Sequence, residues 1–283
     1  MFSDILLTVD YDRTLTAPDS TIPARNLEAI QYFMDNGGKF TLNTGRSVPM
    51  SAKNILNKIP VNAPLLLYNG SAAYDTEKNE LLLCHPIPLD PRAVITDVQG
   101  KFPQLTVEWQ GVDAHYIFHK NAGWEAYCDH NLCAWKYEEF EDIPGPFLKF
   151  SVYGEFRKNT VADMYNAFAE EVALFRDVHN YVMGKYGDVL DFFLPCARIA
   201  DMHAKGCSKL RSARELQAML GRKILVCVGD GDNDLAMLQG ADFAFCPSDG
   251  VIADKFPNVC PCGDGAVAEV IYEKIPAILK NKP

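Results

Sequence analysis

The sequence predicts an α/β fold: a doubly wound, mostly parallel sheet carrying an inserted α+β domain. Three observations predict it. Short apolar runs alternate with apolar residues at helical spacing over residues 1–85 and again after residue 197. The stretch between, 86–196, holds Trp109, Trp124 and Trp135 and lacks that alternation. Acid- or glycine-bearing loops follow the apolar runs, where sheets of this kind place their ligands.

The elements follow in order. Residues 5–9 are apolar without alternation, as in a strand buried on both faces. A helix is expected over 23–36, with Thr21 as N-cap, Pro23 in the first turn and Leu27, Ile30, Phe33 and Met34 on one side. Gly37 and Gly38 end it. Strands are expected at 40–42 and 65–68, with a helix between them ending near Pro60. Asn69-Gly70 marks a turn, and 72–74 with 81–84 read as a hairpin. Pro86, Pro88 and Pro91 crowd one stretch, which reads as a linker. Within the insert, strands are expected at 105–109, 115–119 and 147–153. A helix is expected at 160–171, with Val161, Met164 and Phe168 on one face. The α/β pattern resumes with strands at 199–202, 224–228 and 243–245 and helices at 208–220, 234–238 and 266–279. Residues 1–85 and 197–283 are therefore expected to form one discontinuous core, and 86–196 a second domain.

Composition narrows the function. Among 283 residues there are 27 Lys and Arg against 37 Asp and Glu, a formal charge of −10. Nucleic-acid binding runs on basic surplus, so a small molecule is the expected partner, and an anionic one needs a local positive site. No apolar stretch approaches the ~18 residues of a membrane span, and the N-terminus carries no basic start or cleavage site. Nine scattered cysteines, mostly in apolar runs, fit buried thiols in a reducing, cytoplasmic setting. Cys260 and Cys262 are the only close pair, and their spacing is neither that of zinc nor of redox motifs.

Four short segments carry the chemistry. Asp10 and Asp12 lie two apart at the end of the first apolar run. Acids this close repel when ionised, and a bound magnesium ion relieves the repulsion. One can attack phosphorus while the other handles a proton; the alternative is a solvated turn. Asn43-Thr44-Gly45-Arg46 offers a hydroxyl and backbone N–H groups at a strand-to-helix junction, suited to a phosphate oxygen or simply to starting a helix. Lys209 follows Ser208, the expected N-cap, and is placed to neutralise a phosphate, with Lys205 a competing cation. Asp230, Asp232, Asn233 and Asp234 crowd the start of a helix more densely than capping requires. A calcium loop lacks its closing glutamate here, which leaves metal or phosphate binding. A parallel sheet would bring all four segments to one edge, with the parts phosphoryl transfer needs.

In that order and over nearly the whole chain, these segments resemble the haloacid dehalogenase superfamily, in its Cof-like phosphatase subgroup with a large C2-type cap. The resemblance implies a Rossmann-like core and a cap spanning 86–196 that selects the substrate. It implies Asp10 as nucleophile and magnesium ligand, and Asp12 as general acid and base with its carbonyl on the metal. Asp230 would complete the Mg2+ ligands. Thr44, Gly45, Lys209 and Asn233 would hold the phosphate, and Asp234 would orient Lys209 or the metal shell. The chain departs from the family at Arg13, where glycine is usual; the arginine either keeps an ordinary backbone angle or adds charge near the entrance. Trp109, His115, Tyr116 and Trp124 either line the site or pack the insert's own core.

The function expected is therefore hydrolysis of a small phosphomonoester, a sugar phosphate or similar metabolite, by a cytoplasmic monomer or homodimer that binds neither nucleic acid nor membrane. The rivals are a phosphomutase or phosphotransferase on the same core, and a phosphometabolite-binding protein without catalysis.

Overall fold

Ile5–Val9 forms strand β1, with all five residues buried. Its one polar side chain, Thr8, is satisfied by Cys227 Sγ at 3.2 Å. The helix Ala24–Asp35 (α1) follows, then Lys39–Leu42 (β2) and the helix Val48–Asn54 (α2). Three short strands, Leu65–Leu67 (β3), Ala72–Asp75 (β4) and Glu80–Cys84 (β5), complete the N-terminal part. The computed structural model describes residues 1–56, 58–117, 122–130, 133–137, 145–154, 169–196 and 199–280.

The middle of the chain carries Pro91–Lys101 (α3), Thr106–Gln110 (β6), His115–Ile117 (β7), Ala122–His130 (α4), Trp135–Tyr137 (β8) and Lys149–Tyr153 (β9). Ala169–Tyr186 (α5), Leu190–Cys196 (β10) and Ile199–Ala204 (β11) follow. The C-terminal part runs Lys209–Met219 (α6), Ile224–Val228 (β12), Leu235–Gln239 (α7), Phe243–Pro247 (β13) and Asn258–Val259 (β14). It closes with Ala266–Glu269 (α8), a π turn at Val270–Lys274, and Ile275–Lys280 (α9).

Contacts divide the chain into two compact units. The first comprises Met1–Gly45, Leu56–Leu83 and Ser208–Pro283. Its five-stranded sheet has the order β14-β13-β12-β1-β2, every pair parallel. A single parallel bridge, Asn43 to Leu66, leads on to β3, which opens an antiparallel sheet β3-β4-β5. This is the doubly wound parallel architecture expected from the apolar runs.

The second unit comprises Arg46–Ile55 and Cys84–Cys207. Its six-stranded sheet has the order β10-β11-β9-β6-β7-β8, antiparallel except between β7 and β8. The pleat sorts its residues. Val107, Trp109, Tyr116, Phe150, Val152 and Met202 pack with Val94 and Val98 of α3 and Val178 and Val182 of α5. Alternating with them, Glu108, Gln110, His115, Lys149, Ser151 and Asp201 are polar yet buried.

Several local expectations change. Ile199–Ala204, read as a strand of the resumed core, pairs antiparallel with β9 and β10 in the second unit's sheet. The proline-rich stretch read as a linker runs straight into α3, which begins at its last proline, Pro91. Asp90 caps this helix by accepting from Arg92 N at 3.0 Å, and Pro91 occupies the first turn, where its missing N–H costs nothing. Thr21 does not cap α1; its N–H and hydroxyl both donate to Asp19 Oδ1. Residues 118–119 of the strand read at 115–119, most of the helix read at 160–171 and the boundary residue Ala197 lie outside the described residues. Among the described residues, no helix is long and apolar enough to cross a membrane.

Candidate active site

The parallel register sets out the site. Val9 pairs with Val228 on one side and Leu42 on the other, so residues 10, 43 and 229 leave the sheet at adjacent points of one edge. Backbone bonds continue the ladder past the strand ends: Asp10 N donates to Val228 O and Asn43 N to Val9 O, both at 2.9 Å. After Asp10 the chain turns tightly, and Arg13 adopts a left-handed conformation with φ 59° and ψ 9°. The backbone thus takes the angle that favours glycine, while the exposed arginine keeps its charge near enough to act on Asp230.

Four charged side chains meet at this edge. Lys209 Nζ donates to Asp10 Oδ1 at 2.6 Å and to Asp234 Oδ1 at 2.7 Å. Carboxylate oxygens of Asp10, Asp230 and Asp234 lie within 4.8 Å of one another. All four residues are buried. Asp234 is fixed by its second oxygen, which accepts from the backbone N–H groups of Asp230 and Gly231 at 3.0 and 3.1 Å. Lys209 opens α6, whose N-cap Ser208 accepts from Arg211 N at 3.2 Å. The competing cation, Lys205, lies in the second unit and is exposed beside Asp191.

Electrostatics follow from that crowding. Burial raises the Asp10 carboxyl well above its ordinary value; Lys209 opposes this, and Asp234, Asp230 and Asp12 add to it. Burial and Asp234 push Asp230 up to about 6. Burial works against the Lys209 ammonium, but Asp10 and Asp234 overcome it and hold its pKa above the ordinary value. Three buried carboxylates thus face one ammonium. A divalent cation fits this donor set: hard oxygens, closely spaced, with an excess of negative charge.

The other expected residues are placed as follows. Asp12 is half-buried, two residues along from Asp10. Thr44 is buried, with its N–H on Leu66 O and its carbonyl accepting from Asn69 N. Gly45 lies so close to Asn69 that an added Cβ would stand 2.7 Å from Asn69 Oδ1. Asn233 is half-buried in the short turn Asp232–Asp234.

Two supporting residues escaped the sequence reading, although both lie inside its motifs. Thr14 donates to Asp230 Oδ1 at 2.9 Å, and Asn43 Nδ2 donates to the Lys209 carbonyl at 2.8 Å. Their positions beside Asp10 and Thr44 were the available signal. Trp109 and Tyr116 pack in the second unit's core, and Trp124 in a smaller apolar cluster with Met50 and Ile199. His115 stands on the opposite, polar face, bonded to Glu108 and Ser47. Cys260 and Cys262 are not joined; Cys262 Sγ donates to Asp249.

Comparison with known proteins agrees with this fold. Residues 7–251 match the family model described as haloacid dehalogenase-like hydrolase. The chain is 24% identical over 259 residues to the 5-amino-6-(5-phospho-D-ribitylamino)uracil phosphatase YitU of Bacillus subtilis, covering 88% of each chain. It is 25% identical over 240 residues to an HMP-PP phosphatase of Yersinia enterocolitica, covering 83% of this chain and 80% of that one. Among solved structures, a haloacid dehalogenase-like hydrolase from Bacteroides thetaiotaomicron superposes with a TM-score of 0.78 at 20% identity, covering 95% of this chain and 98% of that one.

Proposed function

The chain belongs to the haloacid dehalogenase-like hydrolases and is a phosphoric monoester hydrolase, and from that premise we propose that it cleaves a small phosphorylated metabolite through a phosphoryl group carried transiently on Asp10. The observation that carries this reading is the position of Lys209 Nζ, 2.6 Å from Asp10 and 2.7 Å from Asp234 at the carboxyl edge of a parallel sheet.

In this reading the Asp10 carboxylate attacks phosphorus in line with the ester bond. That bond breaks, and Asp12 gives its proton to the departing oxygen. Asp12 then takes a proton from water, which attacks the acyl phosphate and frees inorganic phosphate and Asp10. Lys209 neutralises charge on the transferred group, and Asp234 holds the ammonium in place. The Thr44 hydroxyl, the Gly45 N–H and the Asn233 amide bind the remaining phosphate oxygens. Asp10, Asp230 and the Asp12 carbonyl would hold Mg2+, which offsets the repulsion between carboxylate and phosphate dianion. Thr14 keeps Asp230 oriented for that task.

The second unit is the proposed cap, and in this reading it selects the leaving group. Hydrolysis is favoured over transfer to a second sugar by the phosphatase names of both sequence relatives. The test is release of p-nitrophenol from p-nitrophenyl phosphate, followed by a panel of phosphorylated metabolites. Turnover is expected with Mg2+, and is expected to be lost with chelator and in Asp10→Asn. Undiminished turnover in Asp10→Asn would refute the reading.

A further inference from the structure

The second unit contains a cluster that phosphoryl transfer does not use. Cys128 lies in α4 and Cys133 four intervening residues later, just past the helix end. Cys133 N donates to Cys128 O at 2.9 Å, which folds the two cysteines back towards each other. His115 opens the neighbouring strand β7. A ring nitrogen of His115 and the two sulfurs all lie within 4.8 Å of one another, and all three residues are buried.

The donor set is specific. Two thiolates and an imidazole suit a borderline-soft ion, and a spacing of four residues falls within the usual range for paired zinc cysteines. Zinc–sulfur and zinc–nitrogen bonds of about 2.3 and 2.0 Å put ligand atoms on one ion roughly 3.5–4 Å apart. Closing from separations of at most 4.8 Å to that range takes shifts of no more than about 1 Å. The surroundings already orient the histidine as a ligand. Its Nδ1 is bonded to Glu108, which is itself held by Tyr153 OH at 2.6 Å and Gln110 Nε2 at 2.9 Å. A carboxylate on Nδ1 holds the ring in place and leaves Nε2 as the nitrogen that would give up its proton to an ion. Ser47 Oγ is hydrogen-bonded to Nε2 at 2.6 Å, a bond the ion would replace while keeping that oxygen close by.

We propose that Cys128, Cys133 and His115 form a zinc site within the second unit, with the Ser47 hydroxyl beside its fourth position. Zn2+ binding displaces to solvent whatever protons the two sulfurs and the Nε2 of His115 hold, and leaves a dithiolate–imidazole centre with no redox step. The ion would pin the end of α4 to strand β7 of the six-stranded sheet.

The test uses the full-length chain, freed of metal by chelation under reducing conditions and reloaded with Zn2+ or Co2+ in excess Mg2+. One zinc per chain is expected to survive gel filtration. Co2+ is expected to give a sulfur-to-cobalt charge-transfer band that an all-oxygen site cannot produce. Cys128→Ser and Cys133→Ser are expected to abolish that band and to lower zinc affinity at least about tenfold. If either variant fails to fold, alkylation of the unaltered chain decides. Zinc is expected to slow labelling of Cys128 and Cys133 at least tenfold while leaving the exposed Cys84 unchanged. Absence of the cobalt band, or labelling that is the same with and without zinc, would overturn the proposal whether or not the chain is a phosphatase.

Discussion

Lys209 is the residue on which the site's charge balance turns. It is a buried ammonium held between two buried carboxylates, with a third within reach. Removing one partner of such a group leaves charge unpaired in a poorly solvated place, which costs about 3–5 kcal/mol. Lys209→Met is therefore expected to lose that much stability at pH 7 by urea denaturation, and to regain part of it as falling pH protonates the carboxylates. A second residue sets a pH dependence away from the site. Burial pushes His203 from 6.5 down to about 3. The unfolded chain takes up this proton near its ordinary value, while the folded chain resists until about 3. Stability from His203 is thus present above about 6.5 and lost as pH falls towards 3, by at most ~1.4 kcal/mol per unit. His203→Gln should flatten the decline in urea midpoint between pH 6.5 and 4; an unchanged decline would count against this account. The aspartates stand out in short dense motifs, whereas Lys209, with Lys205 as its rival, stands out only in company with them. The backbone angle at Arg13 was not legible, since an arginine carries no mark of the left-handed turn that the loop imposes.

At the scale of elements, the parallel strands were the most legible, because burial on both faces leaves an apolar run that few other structures produce. The strand Ile199–Ala204 was read correctly as a strand and assigned to the wrong sheet. Its alternation names a buried face but not the neighbours that supply its ladder, and those neighbours, β9 and β10, are chosen by tertiary packing. The helix Pro91–Lys101 was hidden by its own capping chemistry, since Asp90-Pro91 reads equally as turn and as helix start. One contact ties an element directly to the site. Gly70 has φ 95°, and an added Cβ would stand 2.1 Å from the carbonyl oxygen of Ser208, the N-cap of the helix that begins with Lys209. Gly70→Ala must move either backbone. It is expected to destabilise the chain by about 3 kcal/mol, at the upper end of single-substitution effects, and to reduce turnover by displacing Lys209. Turnover and thermal midpoint together check this; an unchanged midpoint would contradict the contact.

At the scale of the whole molecule, one chain supplies a parallel sheet with the candidate site at its edge and a second sheet with its own core. The chain's net charge of −10 repels phosphate esters at long range, so in the proposed reading binding comes from the local charge of Lys209 and a divalent ion. The central claim is covalent: Asp10 carries the phosphoryl group between ester and water. Rapid acid quench during turnover of a phosphorus-labelled ester, followed by peptide mapping, measures this most directly. The account predicts label on the peptide containing Asp10, labile to hydroxylamine as an acyl phosphate is, and accumulating when Asp12→Ala slows its hydrolysis. Active turnover with no label on that peptide at any quench time, in either protein, would contradict it.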